Sequence, residues 1–154
     1  MVDRLQLKVP PALVGALIAF LQVGISRWVP ALHVDIKSQS SLALFIAAVG
    51  LGIAIAGVVA FRKRSTTVNP HSPGKTSALV TSGIYGLTRN PMYLGMMIVL
   101  VGWSIHLGNV GATLTVVPFV AYITRFQIKP EEAILLHLFP HAFPDYCLRV
   151  RRWL

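Results

Sequence analysis

Three long stretches of this chain carry no Asp, Glu, Lys or Arg, and their lengths set its architecture. Between Lys8 and Arg27 there are 18 such residues, between Lys37 and Arg62 there are 24, and between Arg89 and Arg125 there are 35. A helix needs about 20 apolar residues to cross a hydrocarbon core about 30 Å thick. The first two runs each suit one crossing. The third is too long for one, and Gly108-Asn109-Val110-Gly111 in its middle is a turn signal. It reads as a hairpin, with Pro91 to Leu107 running one way and Ala112 to about Ile128 returning. The pattern predicts an all-α, multi-pass transmembrane bundle. Its four spans lie at about 9–28, 41–61, 91–107 and 112–128, and a short C-terminal interfacial helix follows. The whole chain reads as a single membrane-embedded domain, with polar segments at 62–90 and 129–154.

Composition strengthens this reading. Hydrophobic residues make up 55% and charged ones 12%, with a mean hydropathy of +0.67. A soluble domain carries roughly 25% charge, so these few ions do not cover a water-facing surface. The apolar content excludes disorder, and the single cysteine, Cys147, excludes a disulfide scaffold. The first run is long for the core of a signal peptide and has no small-x-small cleavage site before Trp28, so it reads as a retained span.

Basic residues orient the spans. Segment 62–90 holds Arg62, Lys63, Arg64, Lys75 and Arg89 with no acid, and the C-terminal part holds Arg125, Lys129, Arg149, Arg151 and Arg152. The hairpin tip carries no charge. Both termini and the middle loop are therefore expected at the cytoplasmic face of a bacterial inner membrane or the endoplasmic reticulum. The net charge of +9 is accounted for by this asymmetry and by attraction to anionic membrane lipids. Nucleic-acid binding is disfavoured, because the basic residues flank spans and form no stripe with interleaved aromatics. In the second span Ala48, Gly52, Ala56 and Ala60 recur every four residues, a ridge on which another helix can approach closely.

Candidate chemistry concentrates in two polar stretches, residues 66–95 and 125–154, which the hairpin returns to one side. This places Arg89, Asn90 and Tyr93 near Arg125, Glu131 and Glu132. Pro91 suits the first turn of a helix, which leaves Asn90 at the N-cap, its amide open to the cap or to a ligand. Pro130 likewise opens a short helix with Glu131 and Glu132 in its first turn, where negative charge is favoured. Ala133, Ile134, Leu135, Leu138 and Phe139 give that helix an apolar side suited to the membrane surface. Cys147 reads as a reduced thiol without a partner. The five histidines, including His137 and His141 with Pro140 between them, do not form a compact ligand set, so no metal is expected. Taken singly, each of these features has a plain structural explanation.

Their combination is more specific. Leu79-Val80-Thr81-Ser82-Gly83-Ile84-Tyr85, then Arg89-Asn90-Pro91-Met92-Tyr93-Leu94-Gly95, then Glu131-Glu132, and later Phe139, Tyr146, Val150, Arg152 and Trp153 follow one another in order. This pattern resembles the isoprenylcysteine carboxyl methyltransferase and phospholipid methyltransferase group of integral membrane enzymes, over about the last 90 residues. The first two spans match that group only as hydrophobic segments. The resemblance implies S-adenosylmethionine-dependent methyl transfer to a lipophilic acceptor. Carried over by motif, the cofactor contacts are Ser77, Ala78, Leu79, Val80, Tyr85, Arg89, Asn90, Pro91, Met92, Tyr93 and Glu131, with Pro70 and His71 as weaker candidates.

The chemistry of those residues is compatible. Glu131 can accept charge-assisted hydrogen bonds from the cofactor ammonium, Arg89 can offer a fork to its carboxylate, and Tyr85 or Tyr93 can place a ring by the sulfonium. No catalytic residue is assigned; Arg125 and Glu132 are the candidates, although Glu132 points about a quarter turn from Glu131. The chain departs from the pattern at three places. Asn90 stands where relatives have His, so a base role does not transfer, and Pro140 stands where Gly is common. Gln127 stands near the position of an arginine linked to acceptor binding, with Arg125 two residues earlier, which leaves Arg125 and Gln127 as candidate acceptor contacts. A carboxylate acceptor, as in isoprenylcysteine O-methylation, needs no base, whereas a phospholipid amine must lose a proton. The alternative function is a non-catalytic membrane protein that binds lipid or a partner complex. A channel is disfavoured, since no span carries an acid or lysine marking an ion path.

Overall fold

A computed structural model describes residues 7–34, 38–63 and 79–154. Among these residues the fold is helical, and the only extended pairing is a bridge between His33 and Asn109. Helix α1 is Pro11–Trp28, α2 is Gln39–Lys63 and α3 is Pro91–Leu107. They are followed by α4 (Val110–Leu114), α5 (Val116–Ile123), a π turn (Thr124–Ile128), α6 (Lys129–Leu138) and α7 (Ala142–Arg149). Two helices, Pro11–Trp28 and Gln39–Arg62, are long and apolar enough to cross a bilayer. Helix α3 is apolar and, at 17 residues, a little shorter, with the bounds that Pro91 and the turn signal at Gly108 anticipate.

The anticipated reversal lies at Gly108, whose φ of +61° ends α3 in the left-handed conformation that glycine adopts without steric cost. Asn109 then caps α4 by accepting from Ala112 N–H at 3.1 Å and donates its amide to Val29 C=O at 3.0 Å. The bonds Val34 N–H to Gly108 C=O and Gln39 Nε2 to His106 C=O seal this end of the bundle.

Beyond the turn the chain stays helical to Leu138, and its irregularities trace to prolines. Pro118 has no N–H for Leu114 C=O, and the break between α4 and α5 falls at the next residue, Thr115, whose hydroxyl turns back to Ala112 C=O at 2.7 Å. Pro130 has none for Phe126 C=O. Lys129 N–H reaches back five residues to Thr124 C=O, which makes the π turn, and Leu7 N–H takes the freed Phe126 carbonyl at 3.0 Å. The helix expected to open at Pro130 is thus a continuation of the preceding one through this turn. Pro140 does separate α6 from α7, as a broken final helix requires.

Packing corrects one expectation. The surface of α2 that meets α3 is made by Ala43, Ala47, Gly50, Ala54 and Gly57, a seven-residue rhythm, whereas Ala48, Gly52 and Ala56 are exposed. A left-handed helix pair keeps one seam in contact only when small residues repeat at 3.5-residue spacing. A run at every fourth residue drifts off that seam. At the seam the backbones touch: a Cβ on Gly95 would press into the Gly50 carbonyl oxygen, and one on Gly50 would lie 2.7 Å from the Gly95 oxygen. A second core joins Val14, Tyr93, Leu100, Phe119, Ile123 and Ile128. Gln22, fully buried in α1, donates to Ala112 C=O at 3.2 Å and Leu100 C=O at 3.4 Å, which ties α1 to the hairpin.

Side-chain volume added at the seam should therefore loosen the α2–α3 pair. Gly95→Leu is expected to destabilise the fold by about 2–3 kcal/mol or more through overpacking. Gly52→Ala, which meets open space, should be neutral or stabilising by up to about 1 kcal/mol. Unfolding of the purified protein in mixed micelles with rising dodecyl sulfate checks both, and equal midpoints for the two variants would contradict the seam.

Candidate functional site

The hairpin brings the two polar stretches together. Tyr93, in the first turn of α3, donates its hydroxyl to Glu131 Oε1 at 2.5 Å. One residue on, Glu132 accepts a two-bond fork from Arg152, Nε to Oε1 at 3.0 Å and Nη2 to Oε2 at 2.7 Å. Arg89 adds a third contact, Nη2 to Glu132 Oε1 at 3.2 Å. The C-terminal residues run beside the start of α3. Arg89 N–H donates to Arg151 C=O at 3.0 Å, and Arg152 C=O accepts from Asn90 Nδ2 at 2.9 Å and from the Thr88 hydroxyl at 3.4 Å. Trp153 Nε1 donates to Thr124 Oγ1 at 3.2 Å, anchoring the chain end on the π turn.

A tyrosine pair forms the other wall. Tyr146 of α7 donates its hydroxyl to Tyr85 C=O at 2.6 Å, and the Tyr85 ring meets Phe61 of α2 edge-on at 5.0 Å. Tyr85 is 4% exposed, and its own hydroxyl is buried without a hydrogen-bond partner among the described residues. Burial pushes that phenol well above its usual range, helped by the negative charges that Tyr146 and Glu131 would carry. Burial likewise raises Tyr146 to about 12, against the nearby Arg89 guanidinium. Glu131 is pushed up to about 7, chiefly by burial; the Tyr93 hydrogen bond works downward and the Glu132 charge upward. Arg152 is held protonated by its bonds to Glu132.

Several expected roles change on this geometry. Arg89 does not present a free fork: its Nη atoms are engaged by Glu132 and by Cys147 Sγ, and only Nε remains buried without a partner among the described residues. Cys147 is a free thiol, and the Arg89 guanidinium lies against it. Asn90 stands at the N-cap of α3 but makes no side-chain cap bond, its amide being committed to Arg152 C=O. Glu132 has both oxygens occupied by arginines and reads as a structural clamp. Gln127 is buried, and its amide donates to Val9 C=O at 2.7 Å, so it holds the segment before α1. Arg125 is exposed, with its guanidinium 5.9 Å from the ring centre of Phe126.

Pro91 is buried at the start of α3 against Gly57, and Met92 touches the same glycine. Leu79 packs on Phe143, Tyr146 and Val150, with Leu135 and Phe139. Part of the α6 face expected at the membrane surface is therefore covered by α7. Val80 lines an open pocket of ≈ 300 Å³ with Ala56, Val59, Ala60, Ser82, Gly83 and Ile84. Ser77 and Ala78 lie outside the described residues, as do Pro70 and His71. Among the described residues no cluster of three metal-ligating side chains occurs. Thr88, Tyr146 and Arg152 carry contacts that the order of residues does not announce: Tyr146 and Arg152 belong to the motif, but only the fold supplies their partners.

Comparison with known proteins supplies a family. The profile of the phospholipid methyltransferase family matches residues 38–142, so it reaches back through α2, further than the motif alone. The chain belongs to that family. An uncharacterized protein of Haemophilus influenzae is 41% identical over 63 residues, covering 41% of this chain and all of that protein. A protein-S-isoprenylcysteine O-methyltransferase of Schizosaccharomyces pombe is 35% identical over 79 residues, covering 49% of this chain and 32% of the relative. No solved structure matches. Family and named relative together indicate a methyltransferase that acts on a lipid-related substrate.

The clamp generates a stability prediction. Glu132→Ala leaves the largely buried Arg89 uncompensated and should cost about 3 kcal/mol. Arg152→Ala removes a partner that is 36% exposed and should cost nearer 1 kcal/mol. Thermal unfolding in detergent measures both, and a neutral Glu132→Ala would show that the clamp does not hold the site together.

Proposed function

We propose that this protein transfers a methyl group from S-adenosylmethionine to a lipophilic acceptor at the cytoplasmic face of a membrane. In this reading the hairpin α3 to α5 supplies the third and fourth spans, and both termini share the side of the site. The observation that carries it is the Tyr93–Glu131 pair at 2.5 Å, which joins two motif segments 38 residues apart in one partly buried site. The donor fits what these residues leave open. It brings an ammonium, a carboxylate and a sulfonium whose methyl is electrophilic. Glu131, which has no arginine beside it among the described residues, is suited to the ammonium. The buried Tyr85 and Tyr93 rings suit a sulfonium by cation–π attraction, and Arg89 Nε is left as a single donor for the carboxylate. Leu79 packs beside Tyr146 and Val80 lines the neighbouring pocket, with Ser77 and Ala78 just before them in sequence, while Pro91 and Met92 hold the start of α3.

The chain's part in the reaction is alignment and exclusion of water. Displacement at a methyl carbon needs the nucleophile held in line with the leaving sulfur. Charge disperses as the methyl moves, so a site walled by Phe61, Tyr85 and Tyr146 favours the step. Gln127 is tethered to Val9, which leaves the exposed Arg125 as the basic contact for an acceptor headgroup; the acceptor is a lipid carboxylate or a phospholipid amine that reaches the site from the bilayer.

The reading predicts that purified protein binds S-adenosylmethionine or its demethylated product, and that Glu131→Ala or Tyr93→Ala lowers the affinity at least tenfold, as loss of a charge-assisted contact implies. Calorimetry checks this. With radiolabelled methyl donor, membranes containing the protein should put label into an organic-extractable product. A folded wild type that binds no donor would favour the non-catalytic lipid- or partner-binding role.

A further inference from the structure

Glu131 and Glu132 are adjacent in one helical turn, yet their surroundings differ in charge. Two guanidinium groups engage Glu132. None reaches Glu131 among the described residues. The groups that face Glu131 are the Tyr93 hydroxyl from α3, the Tyr85 phenol from the turn before it, and the Glu132 carboxylate on its own helix. Arg89 and Arg152, the two cations of the clamp, are both bound to Glu132. A partly buried carboxylate with one phenol to donate and a second negative charge alongside is poorly solvated as an anion.

Resting on the methyl-donor reading above, we infer that Glu131 makes the site specific for a cation. In the empty site its carboxyl holds a proton, and the arriving ammonium displaces that proton to solvent. Donor binding is then coupled to the release of one proton. The O–H bond of Glu131 breaks, the proton leaves to buffer, and an N–H···O bond from the ammonium takes its place, so charge in the site is unchanged. Burial, which places the empty-site carboxyl at about 7, agrees with this: at pH 6 most empty molecules hold the proton, and the ammonium draws the carboxyl down once bound. A ligand without a positive charge at this position has nothing to exchange for the proton.

The sign of the pH dependence is set by this exchange. Between pH 5.5 and 7 the affinity rises with pH, approaching about tenfold per unit at the acid end, because a proton competes with the cation. Well above that range the ligand's own α-amino group loses its proton, so measurements stay below it.

The test uses the full chain in detergent with S-adenosylhomocysteine, which keeps the ammonium. Calorimetry at pH 6 in two buffers of different ionisation enthalpy should report close to one proton released, and Glu131→Gln should show none. Infrared titration of the ligand-free protein should show a carboxylic acid band that disappears near pH 7 and is missing in Glu131→Gln. Tyr93→Phe, which removes the hydrogen bond that favours the anion, should move that midpoint upward. Binding without buffer-dependent heat, or ligand-free protein lacking the band, would overturn the inference and leave the donor reading standing. The band present but no binding at any pH would overturn the donor reading instead.

Discussion

The site depends on one ion cluster. Glu132 is gripped by Arg89, 43 residues before it, and by Arg152, 20 residues after it. Removing a carboxylate from water costs several kcal/mol, and only close, multiply bonded partners offset that. Here three charge-assisted contacts do so, and in forming them they fasten the loop before α3, the start of α6 and the chain end to one point. The bonds from Arg89 N–H to Arg151 C=O and from the Asn90 side-chain amide to Arg152 C=O follow from that docking. So does the register that lets Tyr93 reach Glu131.

Prolines shape the approach. Pro130 removes a donor where α6 begins, and the helix accommodates the loss with one wide turn. Inserting a residue into a helix rotates every later side chain by about 100°, so the π turn sets which way the two glutamates face. The orphaned Phe126 carbonyl would be costly in an apolar setting, and the N-terminal segment supplies the missing N–H through Leu7. Gln127 reinforces the same contact through Val9. A polar side chain that resembles an acceptor ligand in the sequence thus serves the junction of two helices.

Apolar helices that pair in lipid gain no hydrophobic driving force and rely on close contact and hydrogen bonds. The Gly50–Gly95 approach provides the first. Gln22 and Asn109 provide the second, each bonding main-chain carbonyls on another segment. Together these fix α3, and α3 carries Tyr93. Positions that look remote from any chemistry therefore determine where the tyrosine stands.

Much of this protein is legible along the chain. Helix bounds follow from charge-free lengths and from Pro91, Gly108 and Pro140, because breakers and buried charge act locally and strongly. The motif segments and their meeting at one end follow from the single reversal at Gly108. What the chain order does not contain is the assignment of partners. Two adjacent glutamates have the same local chemistry, and only the fold gives both arginines to Glu132 and none to Glu131. Small residues at every fourth position of α2 look like a contact face, yet which face is used depends on how its neighbour crosses it. Arg89, Asn90 and Gln127 read equally as ligand contacts or as structural ties, because an N–H donor is satisfied by any acceptor that tertiary packing brings within reach.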